Sequence, residues 1–260
     1  MTSTAQLFET KLSAFKENQN APWGRLRYNI AFANVSRHLD GKLLQVLDAG
    51  GGNGLDAIPF AAQGHPVAVL DYSSEMLAEA RRNAEANHAV ERMTFYQADL
   101  KSISTLFSEA QFDLILCHNV LQYVDEVTDT LDVLCRALRP GGLISLICVN
   151  RYSESYRLAL MQMNLEAAQA HLDATTIMTN VFGVPVHVYS GEELGQFLQQ
   201  VGCSVLGQYG LLCVCGYIPN NDIKYDPAFF AHLERLEQMM TDKYPYYLLG
   251  RYTQVIAHKG

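Results

Sequence analysis

Residues Val46-Leu47-Asp48-Ala49 run directly into Gly50-Gly51-Gly52-Asn53-Gly54, and no other feature restricts the possible folds as strongly. The short apolar run reads as a buried strand. The glycines behind it permit positive φ and let backbone come close to a ligand. A strand that ends in such a turn and then opens a helix is the first βα unit of a nucleotide-binding sheet.

The pattern repeats. Apolar runs alternate with helical periodicity from Leu43 onward, which predicts strands near 43–49, 66–71, 92–97, 112–118 and 143–149 in a mostly parallel sheet. Ser190 and Glu193 form a capping box for a helix over 190–201, with Leu194, Phe197, Leu198 and Val201 as its apolar stripe and Gly202 as its stop. A strand over about 204–215 follows. Asp226-Pro227 caps a further helix carrying Phe229, Phe230, Leu233, Leu236 and Met240, and Tyr252 to Ala257 is the last strand. The expected fold is therefore α/β, a doubly wound Rossmann-like sheet of seven strands spanning a single domain, 1–260.

Two segments stand outside the repeat. Residues 1–40 carry two helical patterns and form an N-terminal cap. Residues 151–187 interpose Ser153–Met163 and Leu165–Leu172, a helical insertion after strand five. Additions at these places are expected over the ligand crevice, as a lid that selects a second substrate.

Composition narrows the partners. A net charge of −8 over 260 residues, with no lysine run, argues against a large duplex interface while leaving room for a local basic patch. Met1-Thr2-Ser3-Thr4 lead into polar residues rather than a basic and then apolar stretch, and the longest apolar runs fall well short of a membrane span. The expectation is a soluble cytoplasmic protein with no membrane partner.

Cys117, Cys135, Cys148, Cys203, Cys213 and Cys215 mostly sit in apolar runs, as buried thiols of a reducing compartment do. Cys213 and Cys215 are expected on one face of a strand, without the spacing of a zinc site. His38, His65, His88, His171, His187, His232 and His258 show no two-ligand spacing, so no metal is expected.

The glycine turn alone is compatible with more than one nucleotide. Counted from Gly50, a G-x-G-x-x-G fingerprint fails at Leu55; counted from Gly52 it gives an acceptable variant two residues late. A nicotinamide cofactor thus survives as a weak alternative. More informative are the strand ends: Asp48, Asp71, Asp99 and His118 fall at the carboxyl ends of four successive strands. A single acid there could be a helix cap. Four in register across one edge point to a ligand, with Asp71 suited to a ribose diol.

The segments Leu47 to Gly54, Asp71, Ala98-Asp99 and Leu138-Arg139-Pro140-Gly141-Gly142 together resemble the ordered motifs of class I S-adenosylmethionine (SAM)-dependent methyltransferases. The resemblance implies a last strand running antiparallel to the others. It implies SAM as cofactor, with Gly50, Gly51 and Gly52 against its methionine portion and Asp48 in the same loop. Asp71 would then hold the ribose hydroxyls, Ala98 and Asp99 the adenine edge, and His118 would lie beside the sulfonium.

Further segments are similar to a bacterial branch, the tRNA 5-carboxymethoxyuridine methyltransferases: Gly24-Arg25-Leu26-Arg27, Phe112 to Leu121, and Leu248-Leu249-Gly250-Arg251-Tyr252. That likeness implies tRNA processing, an anticodon-loop partner, and a SAM-carboxylate role for Arg27, which otherwise reads as a solvated helix charge. Met161 to Ala168 departs from the lysine-rich stretch of that branch. A small carboxylate, another metabolite or a peptide as acceptor, or a noncatalytic SAM-binding module, therefore remain alternatives.

Methyl transfer from a sulfonium requires the donor and acceptor to be held in line. A carboxylate acceptor is already ionised at neutral pH and needs no base, but it needs a cation to orient it. Arg151 and Arg157 are the candidates, with Tyr152 beside them, and each also reads as a surface ion-pair residue. His118 is either a base for an oxygen or nitrogen acceptor or a histidine packed against the cofactor. Tyr244, Pro245, Tyr246 and Tyr247 either stack a base or pack a loop.

Overall fold

The computed structural model describes residues 19, 21–179 and 183–260. Met1 to Thr4 and the part of the N-terminal cap before residue 19 lie outside the described residues. Nine strands are described: β1 (Val46–Ala49), β2 (Val67–Asp71), β3 (Met93–Gln97), β4 (Phe112–His118), β5 (Leu138–Val149), β6 (Thr176–Met178), β7 (Pro185–His187), β8 (Cys203–Leu211) and β9 (Tyr252–Lys259). Seven of them form one sheet in the order β3-β2-β1-β4-β5-β9-β8, and β6 pairs with β7 separately.

β1 to β5 are parallel, with Ala49 opposite Leu70, Asp71 opposite Gln97 and Asp48 opposite Leu116. The reversed strand is β9. Its start lies at the end of β8, where the Arg251 N–H donates to the Leu212 carbonyl, and its finish lies at the beginning of β8, where Gly260 donates to Gly202. The same inversion holds against β5, since Asn150 donates to the Arg251 carbonyl and the Lys259 ammonium to the Leu138 carbonyl.

The helices are α1 (Pro22–Ser36), α2 (Ile58–Ala62), α3 (Ser74–Ala86), α4 (Ile103–Leu106), α5 (Val127–Ala137), α6 (Ser153–Met161), α7 (Leu165–Ala170), α8 (Gly191–Gln200) and α9 (Pro227–Met240). The chain divides into two compact units. One comprises Met1–Asn34, Cys148–Glu192 and Gln208–Gln254; the other comprises Val35–Ile147, Glu193–Gly207 and Val255–Gly260.

In the second of these units the core lies on the faces of β1, β2 and β4. Leu47, Val69, Leu114, Ile115 and Leu116 are completely buried, each contributing roughly 2 kcal/mol through lost apolar surface. The helix after β2 shows why its residues fold as they do. Ser73 caps it by accepting from the Met76 N–H at 3.2 Å, Glu75 lies in its first turn, and Met76, Leu77, Ala80 and Ala84 make the buried stripe.

β5 begins at Leu138 rather than at 143, because Phe112 pairs with Leu138 and Leu114 with Leu143. The residues between bulge out through Arg139-Pro140-Gly141-Gly142, where Gly141 takes a φ of +75°. All six cysteines are buried and unbridged, and Cys135 and Cys203 approach to 3.1 Å between sulfurs.

The other unit is organised by two buried carboxylates. Glu237 on α9 is fully buried and accepts from three consecutive backbone N–H groups, Cys213 at 2.7 Å, Val214 at 2.8 Å and Cys215 at 2.6 Å. This corrects the expected strand over 204–215. β8 stops at Leu211, Leu212 takes a φ of +58°, and the chain turns so that three donors meet one acid. Cys213 and Cys215 therefore do not share a strand face.

Glu154 on α6 is the second buried acid, and it gathers Arg157 and Arg251. The insertion over 151–187 is also not wholly helical. After α6 and α7 it forms the antiparallel pair of β6 and β7, with Thr176 opposite His187. Among the described residues no helix is long and apolar enough to cross a membrane, and no group of acids, cysteines and histidines is arranged to hold a metal ion.

Candidate functional site

The parallel register brings the ends of β1, β2, β3 and β4 to one edge. Gly50 and Gly52 have φ of +75° and +54°, conformations that favour glycine. Gly51 is restricted by space instead, because a Cβ there would lie 2.6 Å from Asp48 Oδ2 and 2.8 Å from Val69 Cγ1. On Gly50 it would lie 2.5 Å from Val120 Cγ2. The loop is bare backbone because its sides are already filled.

Asp71 ends β2 and faces this loop. Its Oδ2 accepts from the Gly52 N–H at 2.8 Å and its Oδ1 from the Ser73 N–H at 2.9 Å. Burial pushes this carboxyl above its usual range, opposed by the Ser73 and Gly52 donors. Each oxygen keeps acceptor capacity, so the carboxylate could take a vicinal diol while the backbone fixes its orientation.

Ala98 is tied to the same strand end, its N–H donating to the Asp71 carbonyl at 3.0 Å. Asp99 is exposed and its Oδ1 accepts from the Lys101 N–H at 2.8 Å, capping the turn that follows. Gly52, Asp71, Ala98 and Asp99 thus occupy neighbouring positions on one strand edge. Asp48 is almost completely buried, against Gly51; burial of the Cys117 thiol, with the Asp48 charge adding to it, pushes that thiol up to about 12.

His118 ends β4. Its Nδ1 lies 2.9 Å from Asp56 Oδ1 and its Nε2 2.8 Å from Ser145 Oγ. Both ring nitrogens are thus engaged within the protein, one by a carboxylate and one by a hydroxyl. Asp56 and Ser145 carried no sequence signal as its partners, since the three residues come from three different segments.

The remaining candidates belong to the other unit. Arg27 is buried and its guanidinium lies 4.5 Å from the centroid of the Tyr28 ring. Arg151 follows β5 and is partly exposed. Arg157 is held to Glu154 by two hydrogen bonds, from Nε at 2.9 Å and Nη2 at 2.6 Å. Arg251 reaches the same carboxylate at 3.0 Å and Ser153 Oγ at 2.8 Å. Burial raises the Glu154 carboxyl, but the hydrogen bonds and charges of Arg157 and Arg251 outweigh it and hold the group below its usual range. Arg157 is therefore engaged by its own helix rather than presented to an acceptor.

Tyr244 and Tyr247 make an edge contact at 6.4 Å, and Tyr244 is 73% exposed. The aromatic run is thus partly packed and partly open. The loop backbone, the diol-competent carboxylate and the adjoining strand end together fit a ligand carrying a nucleoside and a polar chain.

Comparison with known proteins agrees. Residues 46–142 match a methyltransferase domain family. The chain is 31% identical over 245 residues to the tRNA 5-carboxymethoxyuridine methyltransferase of Escherichia coli (strain K12), covering 91% of this chain and 89% of that one. It is 39% identical over 104 residues to a malonyl-[acyl-carrier protein] O-methyltransferase of Enterobacter lignolyticus, covering 40% of this chain and 38% of that one. Among solved structures, a SAM-dependent methyltransferase from Thermotoga maritima superposes with a TM-score of 0.64 at 16% identity, covering 99% of this chain and 100% of that one.

Proposed function

This chain belongs to the class I SAM-dependent methyltransferases, and from that premise we propose that it is an O-methyltransferase esterifying a carboxylate, with 5-carboxymethoxyuridine at the tRNA wobble position as acceptor. SAM is its cofactor. When bound, it would supply an electrophilic methyl group that a carboxylate oxygen takes in line, with the neutral thioether of the demethylated cofactor as leaving group.

The observation that carries the carboxylate reading is the commitment of both His118 nitrogens. A site whose histidine is already engaged suits an acceptor that is ionised beforehand. The tRNA part is supported by the likeness to the Escherichia coli enzyme along nearly the full length, and it implies a cytoplasmic protein.

We assign the residues accordingly. Gly50, Gly51 and Gly52 carry the methionine portion, Asp71 the ribose hydroxyls, and Ala98 with Asp99 the adenine edge. Asp48 supports the loop from behind. Arg27 takes the SAM carboxylate, a role that suits a buried guanidinium fork. Of the two arginines expected to orient the acceptor, Arg151 is retained, since Arg157 is paired with Glu154.

A second reading, a small-molecule acceptor, is favoured by one observation. Residues 158–223 contain no lysine or arginine, and within the insertion Leu160, Met163, Leu165, Leu172 and Met178 are exposed. Such a surface offers phosphates little.

The test is incubation of the purified protein with SAM and tRNA from a strain lacking the gene, followed by mass spectrometry of the nucleosides. A methyl ester on the wobble uridine is expected. Inert tRNA with turnover of a small acid would move the assignment to the second reading.

A further inference from the structure

Asp56, His118 and Ser145 form a continuous hydrogen-bonded row in which the imidazole is the bridge. The same residue types in this order drive acyl transfer in hydrolases. That use is closed here, because Ser145 lies within β5 with no exposed surface. The row serves another purpose.

A carboxylate only accepts, so Nδ1 of His118 carries the hydrogen in its bond to Asp56. In the neutral ring Nε2 is then bare and receives the Ser145 hydroxyl. The imidazole is fixed at both ends, and its side chain is 4% exposed.

What it joins matters more than the bonds themselves. Asp56 lies two residues beyond Gly54, in the turn that leads to α2. His118 is followed by Asn119, which has a φ of +58° and donates its N–H to the Ile147 carbonyl at 2.7 Å. Next comes Val120, whose methyl groups occupy the space that a Cβ on Gly50 would need. Gly50 is thus bounded on one side by a segment that His118 anchors, while the far end of its own loop is anchored through Asp56 to the same ring.

We infer that Asp56 and Ser145 are positioning residues for SAM, acting through His118 to clasp the glycine loop to the end of β4. The inference rests on the assignment of Gly50 to Gly52 as the SAM loop. His118 is then a tie between two loops rather than a base.

Imidazole nitrogen shifts of the wild-type protein without SAM, at neutral pH, test the clasp directly. A single Nδ1–H tautomer of His118 is expected; averaging between tautomers, or an Nε2–H ring, overturns it. Calorimetry with SAM and urea unfolding are then compared for wild type, Asp56→Asn and Ser145→Ala. Asp56→Asn should weaken SAM binding about tenfold, the loss of one charge-assisted hydrogen bond, and by more than any shift in its urea midpoint accounts for. Asp56→Glu should recover part of the affinity. Normal wild-type binding with unaffected Asp56→Asn overturns the clasp alone, whereas a wild-type protein that shows no heat with SAM overturns the loop assignment with it. If both variants fail to fold, the wild-type tautomer still decides.

Discussion

The Gly52 N–H and the Asp71 carboxylate meet at 2.8 Å, so that the turn after the first strand and the acid closing the second are one unit. Their join fixes the carboxylate before any ligand arrives. Preorganisation of this kind lowers the ordering cost of binding.

Asp71→Asn keeps the volume and removes both the charge and one acceptor. SAM affinity should fall about 10- to 100-fold, as expected for lost hydrogen bonds to a charged group. Because the Gly52 and Ser73 N–H groups each take one Asp71 oxygen, the amide leaves one of them without an acceptor, so stability should also fall, by about 1–3 kcal/mol. Calorimetry paired with thermal unfolding separates the two; unaltered SAM affinity would remove Asp71 from the site.

Gly51→Ala adds a Cβ that would sit 2.6 Å from Asp48 Oδ2. Something must shift, and both the acid and Val69 are buried, so we expect a loss of about 1–3 kcal/mol. The same change in an Asp48→Ala background should cost less, because one obstacle is gone. Denaturant unfolding of the four proteins measures that coupling; strict additivity would contradict the steric account.

Glu237→Ala leaves the N–H groups of Cys213, Val214 and Cys215 without their acceptor. The expected destabilisation is about 3 kcal/mol or more, read as a lower urea midpoint. Burial raises the Glu237 carboxyl, with the N–H groups of Cys215, Val214 and Cys213 opposing that incompletely. A carboxyl raised in the folded state stabilises most while protonated, and that contribution fades as pH rises through its folded value. Glu237→Ala should therefore lose least, relative to wild type, at neutral pH and most in mild acid.

Glu154 behaves in the opposite sense. Its carboxyl is held below the ordinary 4.5, so its contribution is present above that value and lost as pH falls through the folded one. Wild-type stability should drop in that acidic window, and Glu154→Gln should flatten that part of the curve while lowering stability at pH 7 by about 3 kcal/mol, with Arg157 and Arg251 left without their carboxylate. Unfolding free energies from pH 3 to 7 provide the check; parallel curves would refute the ion-pair account.

The strand ends that carry Gly50, Asp71, Ala98 and Asp99 were legible because each is set by its immediate neighbours. A short continuous apolar run, a glycine with positive φ and a capping acid are local properties, and parallel pairing then aligns them without further information. The bulge over Arg139 to Gly142 was missed because those residues look like a turn when β4 is not beside them.

The chain alone carried the number of strands in the main sheet and the capped start of α9, consequences of periodicity and punctuation within a few residues, while its resemblance to a known family supplied the reversed last strand and the cofactor class. Only folding in three dimensions decided that Glu237 would meet the backbone at 213–215, that Glu154 would take Arg251 from nearly a hundred positions away, and that His118 would be shared between Asp56 and Ser145. The physical reason is that a buried polar group must find its partner wherever packing brings one within about 3 Å, and separation along the chain carries no trace of that distance.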